Sequence, residues 1–146
     1  MLVKDILHRK GHDIQTVAPE EAIEFCAAHM RLRRVGALVV CEGDRKLKGI
    51  ISERDIVHAV VDYGPGGLQK TAADYMDADP VTCAPDDTIA SVANQMTTAR
   101  VRHTPVCKNG EIVGLVSIGD IVKARFEELG LERDTIKDLA SKRSVA

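Results

Sequence analysis

Two serine–aspartate pairs carry the chemistry of this chain. Ser52-Glu53-Arg54-Asp55 and Ser117-Ile118-Gly119-Asp120 each stand where an apolar strand pattern gives way to a helical one. A carboxylate so placed can accept two hydrogen bonds from a cis-diol. A serine at a helix start lies among free backbone N–H groups, where the helix dipole also attracts phosphate. The same residues have a structural reading. In a capping box the serine accepts from the amide three residues on, and the acid there reaches back to the serine amide. Aspartate is shorter than the usual Glu or Gln, so the box is imperfect, and local sequence leaves both readings open. Arg102 and His103 precede an apolar run and offer cations for phosphate oxygens, the arginine through a bidentate fork. The alternative for them is a solvated strand edge.

The two pairs belong to a larger repetition. Residues 49–59 read GIISERDIVHA and residues 114–124 read GLVSIGDIVKA, with six of eleven positions identical. An offset of 65 or 66 also carries Thr16, Pro19, Met30, Arg34 and Cys41 onto Thr82, Pro85, Met96, Arg100 and Cys107. A tandem repeat of this length, filling the chain, sets the architecture. Each copy reads strand, helix, strand, strand, helix. In the first, the strands fall at 14–17, 37–41 and 47–51, and the helices at 20–31 and from Ser52 through Val61. In the second, the strands fall at 81–83, 104–107 and 112–116, and the helices at 86–98 and 117–129. A lead-in precedes each copy, at 2–7 and 71–76, matched at Asp5 and Asp74. The organisation is a first repeat over 1–62 with its lead-in, a Gly/Pro-rich linker over 63–70, and a second repeat over 71–130. The tail, 131–146, is charged, with Ile136 and Leu139 one helical face apart; it is either a docking helix or partly disordered.

Composition narrows the function classes. The chain has 146 residues, 45% of them apolar, no Trp and four Phe and Tyr together, so its core is aliphatic. A net charge of −2 makes nucleic acid a poor partner, since phosphate neutralisation needs clustered Lys and Arg. No apolar run approaches the roughly 20 residues of a membrane helix. The N-terminus has no secretory h-region, and a cytoplasmic protein is expected. The four cysteines fit a reducing compartment; they form no CxxC pair and have no His at metal-ligand spacing, so no metal is expected. No nucleophile–base pair or Walker-type loop argues for an enzyme.

A unit of about 60 residues that ends G-h-h-S-x-x-D-h-h in both copies, and in the second opens x-P-V-T and passes through R-H-x-P-V, resembles the cystathionine β-synthase (CBS) domain pair, or Bateman module. The resemblance covers Val3 to about Leu129. It implies an α/β (α+β) fold of two tandem β-α-β-β-α repeats packed with pseudo-twofold symmetry, and modules that assemble as homodimers. It also implies an adenosine nucleotide as regulatory ligand, AMP foremost, with ADP, ATP, NAD(H) or S-adenosylmethionine as alternatives. In the second repeat the implied site comprises Thr82 and Cys83, whose backbone borders adenine, with Arg102, His103, Pro105, Ser117, Ile118, Gly119 and Asp120. In the first repeat a weaker site comprises Thr16, Val17, Ala37, Ser52, Arg54 and Asp55. The copies differ: Gly36-Ala37 stands where the second has Arg102-His103, and Glu53-Arg54 where it has Ile118-Gly119. The expected function is nucleotide sensing reported to an effector protein that the sequence does not identify. The alternative is a ligand-free interaction module whose Ser-x-x-Asp motifs are only helix caps.

Overall fold

The computed structural model describes residues 1–11 and 13–130; the expectation for the tail, 131–146, lies outside them. The chain runs α1 (Val3–Lys10), β1 (Thr16–Val17), α2 (Ile23–Arg33), β2 (Ala37–Cys41), β3 (Leu47–Ser52) and α3 (Glu53–Tyr63). After a 3-10 turn at Gly64–Gln69 come α4 (Ala72–Tyr75), α5 (Ile89–Ala99), β4 (His103–Lys108), β5 (Glu111–Ser117) and α6 (Ile118–Glu128). Antiparallel hairpins β2–β3 and β4–β5 form the two sheets, and β1 adds a parallel edge to the first. Both hairpins slip register at the same place, Val40/Cys41 and Val106/Cys107. These are the two tandem repeats that the sequence implied.

The differences from the expected boundaries have local causes. Helix α2 begins at Ile23 rather than Glu20, because residues 18–21 close a turn in which the Glu21 amide donates to the Ala18 carbonyl at 3.1 Å. Helix α5 begins at Ile89 rather than Asp86 for the same reason: the Asp87 amide donates to Ala84, and Thr88 caps the Ser91 amide at 3.1 Å. The strand expected at 81–83 shrinks to a single bridge, Cys83 opposite Val106. The linker is packed rather than loose. Gly67 is buried against the end of α3, and a Cβ there would stand 2.2 Å from the Ala59 carbonyl oxygen.

The lead-ins change places. Helix α1, which precedes the first repeat, buries Val3, Ile6 and Leu7 in the core of the second, among Ile89, Val92, Met96, Val116 and Ile121. Helix α4, which precedes the second repeat, buries Ala72 in the core of the first, beside Val17, Ile23, Leu38 and Ile51. Backbone bonds seal both exchanges. The Ile23 amide donates to the Lys70 carbonyl at 2.7 Å, and the Ile89 amide to the Met1 carbonyl at 3.2 Å. Each is an N-terminal helix amide that no bond inside its own helix would satisfy.

This arrangement explains the glycine that opens each copied segment. A Cβ on Gly49 would stand 2.5 Å from the Asp77 carbonyl oxygen, and one on Gly114 would stand 2.6 Å from a Leu7 methyl. Glycine inside a strand here marks the close approach of an exchanged lead-in. Leu7→Ala should therefore destabilise the protein by about 2–4 kcal/mol in urea unfolding, although it lies outside both repeats' sheets. Gly114→Ala should also destabilise, and the double substitution should cost less than the sum, since the small side chain at position 7 makes room for the new Cβ.

Candidate functional site

Each Ser-x-x-Asp motif sits at a strand-to-helix junction, Ser52 closing β3 and Ser117 closing β5. Their ladder partners are Ala37 and His103 respectively. The junctions are built alike: the Glu53 amide donates to the Gly36 carbonyl at 3.1 Å, and the Ile118 amide to the Arg102 carbonyl at 2.8 Å. Gly36 is thus the counterpart of Arg102. A Cβ on Gly36 would come within 3.2 Å of a Glu53 carboxylate oxygen and 3.3 Å of the His103 ring. Glycine there lets His103 of the second repeat lie against the first repeat's motif.

A pocket of about 480 Å³ opens at this contact. Gly36, Ile50, Ser52, Glu53, Arg54, Asp55 and Val57 line it from the first repeat, and Arg100, Val101, Arg102 and His103 from the second, with Asp77 beside them. It therefore joins the first motif to the second repeat's cations. The sequence reading grouped Arg102 and His103 with Ser117, Ile118, Gly119 and Asp120, but those four lie outside this pocket. Other residues of the implied sites lie elsewhere. Val17, Ala37, Cys83 and Pro105 are buried, the Cys83 amide and carbonyl being paired with Pro105 and Cys107, and Thr82 is exposed outside the pocket. Thr16 lines a larger hollow of about 1080 Å³ at the hairpin turns, with Cys41, Arg45, Cys107 and Lys108. That hollow includes neither motif.

The second motif forms the full cap that the structural reading described; in the first the acid reaches back to the serine amide, but the Ser52 hydroxyl accepts from no helix amide. Asp55 Oδ2 accepts from the Ser52 amide at 2.7 Å and from the Ser52 hydroxyl at 3.0 Å. Asp120 Oδ2 accepts from the Ser117 amide at 2.9 Å and from Lys10 Nζ at 2.7 Å, while the Ser117 hydroxyl accepts from the Asp120 amide at 3.1 Å. Burial alone would raise the Asp120 carboxyl pKa; the bonds from Lys10 and Ser117 outweigh it and hold the group below the ordinary carboxylate range. In both motifs the second carboxylate oxygen, Oδ1, has no hydrogen-bond partner among the described residues.

Three residues of this region escaped the sequence reading. Arg100 is the left-handed cap of α5, with φ 56°, and its counterpart Arg34 ends α2 identically. The repeat offset, which pairs the two arginines, held the signal for Arg100. Lys10 and Asp77 arrive on the exchanged lead-ins, and nothing in local sequence points to them. Among the described residues no group of three or more His, Cys, Asp or Glu is placed to hold a metal ion. No described helix is long and apolar enough to cross a membrane.

His103 is half-buried between the motifs. Burial pushes its pKa below the usual imidazole value; Glu53 and Asp120 pull it up, Lys10 and Arg102 down. A ring that titrates lower when folded makes the unfolded state the better proton binder. Stability is therefore lost as pH falls from the unfolded value of about 6.5 down through the lower folded one. Urea unfolding should show lower stability at pH 5.5 than at pH 7.5, with a smaller difference in His103→Gln.

Comparison with known proteins agrees with this architecture. Residues 3–62 and 72–127 each match the family model of the CBS domain. The CBS-domain protein ATU1752 of Agrobacterium tumefaciens aligns at a TM-score of 0.82 and 41% identity, over 86% of this chain and 99% of that one. The CBS domain pair of protein MJ0100, solved in complex with 5′-methylthioadenosine and S-adenosyl-L-methionine, aligns at a TM-score of 0.77 and 26% identity, over 88% and 98% of the two chains. The mitochondrial CBS domain-containing protein CBSX3 of Arabidopsis thaliana is 30% identical over 134 residues; the match spans 86% of this chain and 65% of that protein. With two matched copies that together fill most of its length, the chain belongs to the CBS domain family as a tandem pair.

Proposed function

We propose that this CBS pair is a regulatory sensor of an adenosine nucleotide, held in the pocket between the first Ser-x-x-Asp motif and the second repeat's cations. One observation carries the reading: a single 480 Å³ pocket gathers a carboxylate, a helix N-terminus and three arginines with a histidine. Asp55 Oδ1 is available to a ribose hydroxyl. The Ser52 hydroxyl can turn from Asp55 to a ligand without breaking the cap's amide bond. Arg54, Arg100 and Arg102 offer bidentate donors to phosphate. Glu53 and Asp77 oppose them, so the phosphate belongs at the arginine wall and the ribose at Asp55. The complex of the MJ0100 pair with two adenosine compounds supports this ligand class. AMP is the nucleotide proposed first; the chain acts without catalysis or metal, in the cytoplasm, and reports to a separate effector protein.

A second reading has its own support: both motif aspartates already cap their helices, as a ligand-free interaction module would need. Thermal unfolding against AMP, ADP, ATP, NAD, NADH and S-adenosylmethionine, with GMP as control, separates the two. At 100 times its dissociation constant a ligand stabilises by about 2.7 kcal/mol, or several degrees here. An adenine-selective shift is expected, reduced in Asp55→Ala to what the weaker second motif supplies, and weakened for phosphate-bearing ligands in Arg102→Ala. No shift with any ligand would favour the capping module.

The same proposal includes a homodimer. Helix α3 exposes Val57, Val60 and Val61, and α6 exposes Ile118 and Val122, with Leu129 exposed just past its end. Val57 and Val122 are repeat counterparts, so the two helices offer matched aliphatic faces that a second copy can cover. Light scattering at micromolar concentration should give twice the chain mass, and Val61→Glu should give a monomer. A wild-type monomer would rule the assembly out.

A further inference from the structure

We propose that Lys10 closes the second Ser-x-x-Asp motif from within the chain, leaving the first as the open ligand site. The inference rests on the adenosine reading above. Ile50 in β3 and Leu115 in β5 are repeat counterparts, each five residues before its motif aspartate. The Ile50 carbonyl accepts from the Asp77 backbone amide at 2.9 Å, just past the four-residue helix α4. The Leu115 carbonyl accepts instead from Lys10 Nζ at 2.9 Å. Helix α1 is twice as long as α4, eight residues against four, and carries a lysine side chain to the place where the other lead-in brings backbone.

From there Lys10 reaches the motif. Its ammonium lies 2.7 Å from Asp120 Oδ2, so one cation ties together a strand carbonyl and the carboxylate expected to hold ribose. At the first motif the corresponding bond to Asp55 comes from the serine's own hydroxyl at 3.0 Å, a neutral donor that rotates freely. Among the described residues no cation forms an ion pair with Asp55. A diol approaching Asp120 must therefore compete with an ion pair, whereas one approaching Asp55 displaces at most a hydroxyl.

The latch is also breakable. The Lys10 and Asp120 side chains keep 38% and 25% of their exposure, so solvent and salt screen the pair. Pairs of this kind hold a partner by a factor of up to about five in equilibrium. The second motif is thus a weakened site rather than a destroyed one. A change in ionic strength, or in the seating of α1, alters its availability without touching the first.

Adenosine is the probe, because it has the diol but no phosphate for Lys10 to attract. Asp55→Asn silences the first motif, and titration calorimetry compares Asp55→Asn alone, with Lys10→Met, and with Lys10→Arg. The methionine variant should bind adenosine up to about fivefold more tightly than Asp55→Asn alone, and the arginine variant, which keeps the cation, should bind no more tightly than Asp55→Asn alone. Raising salt from about 0.05 to 0.5 M should tighten binding to Asp55→Asn and leave the methionine variant unchanged. Equal affinity with and without Lys10, at either salt, overturns the inference while leaving the sensor reading intact. If the wild-type protein binds no adenosine compound, the sensor reading falls and this inference with it.

Discussion

The exchange of lead-in helices is the constraint on which the molecule depends. Each repeat has a hairpin and two helices of its own, but its core is closed by a helix that enters from ahead of the other repeat. The bonds from Ile23 to Lys70 and from Ile89 to Met1 make the closure specific. A buried amide left without an acceptor costs on the order of 1–3 kcal/mol, so neither helix start tolerates loss of its foreign carbonyl. From this follow the two strand glycines, the packed turn at Gly64–Gln69, and the delivery of Asp77 and Lys10 to the two motifs.

Near-identical motifs end in unequal electrostatic surroundings because the exchange is not itself symmetric. A short α4 returns to extended backbone and contributes a carboxylate, Asp77, to the open pocket; a longer α1 contributes an ammonium to Asp120. Gly36 then admits His103 to the seam, which leaves the second repeat's cations facing the first repeat's acid. The site is thus assembled from opposite halves of the chain. Any rearrangement that tilts one repeat against the other changes it, and a ligand bridging both can shift that balance only through its differential affinity for the two packings.

Much of this was legible in the sequence because repetition reveals what a single copy hides. GIISERDIVHA against GLVSIGDIVKA located both strand-to-helix junctions, and the aliphatic runs located both hairpins. What stayed hidden was relative placement. Chain order assigned the lead-in at 2–7 to the repeat it precedes, while packing gives it to the other. Arg102 and His103 read as belonging with Ser117, their neighbour in the ladder, yet they line the pocket of the opposite motif. Helix starts slipped by three residues where Pro19 and Pro85 head turns rather than first helical positions. Local propensity fixes an element's type; only the closed core fixes what stands across from it.

The exchanged lead-ins also bear on how such a chain could arise. A polypeptide with one repeat and one lead-in would leave its own core open and hold the piece that closes a twin's. Two such polypeptides would complete each other reciprocally, as domain-swapped partners do. The tandem chain is that reciprocal pair made covalent, with the turn at Gly64–Gln69 as the join. Joining replaces an encounter that depends on concentration with one set by tether length. Once joined, the halves no longer have to be identical, and Gly36 in the first where the second has Arg102 is one place where they differ.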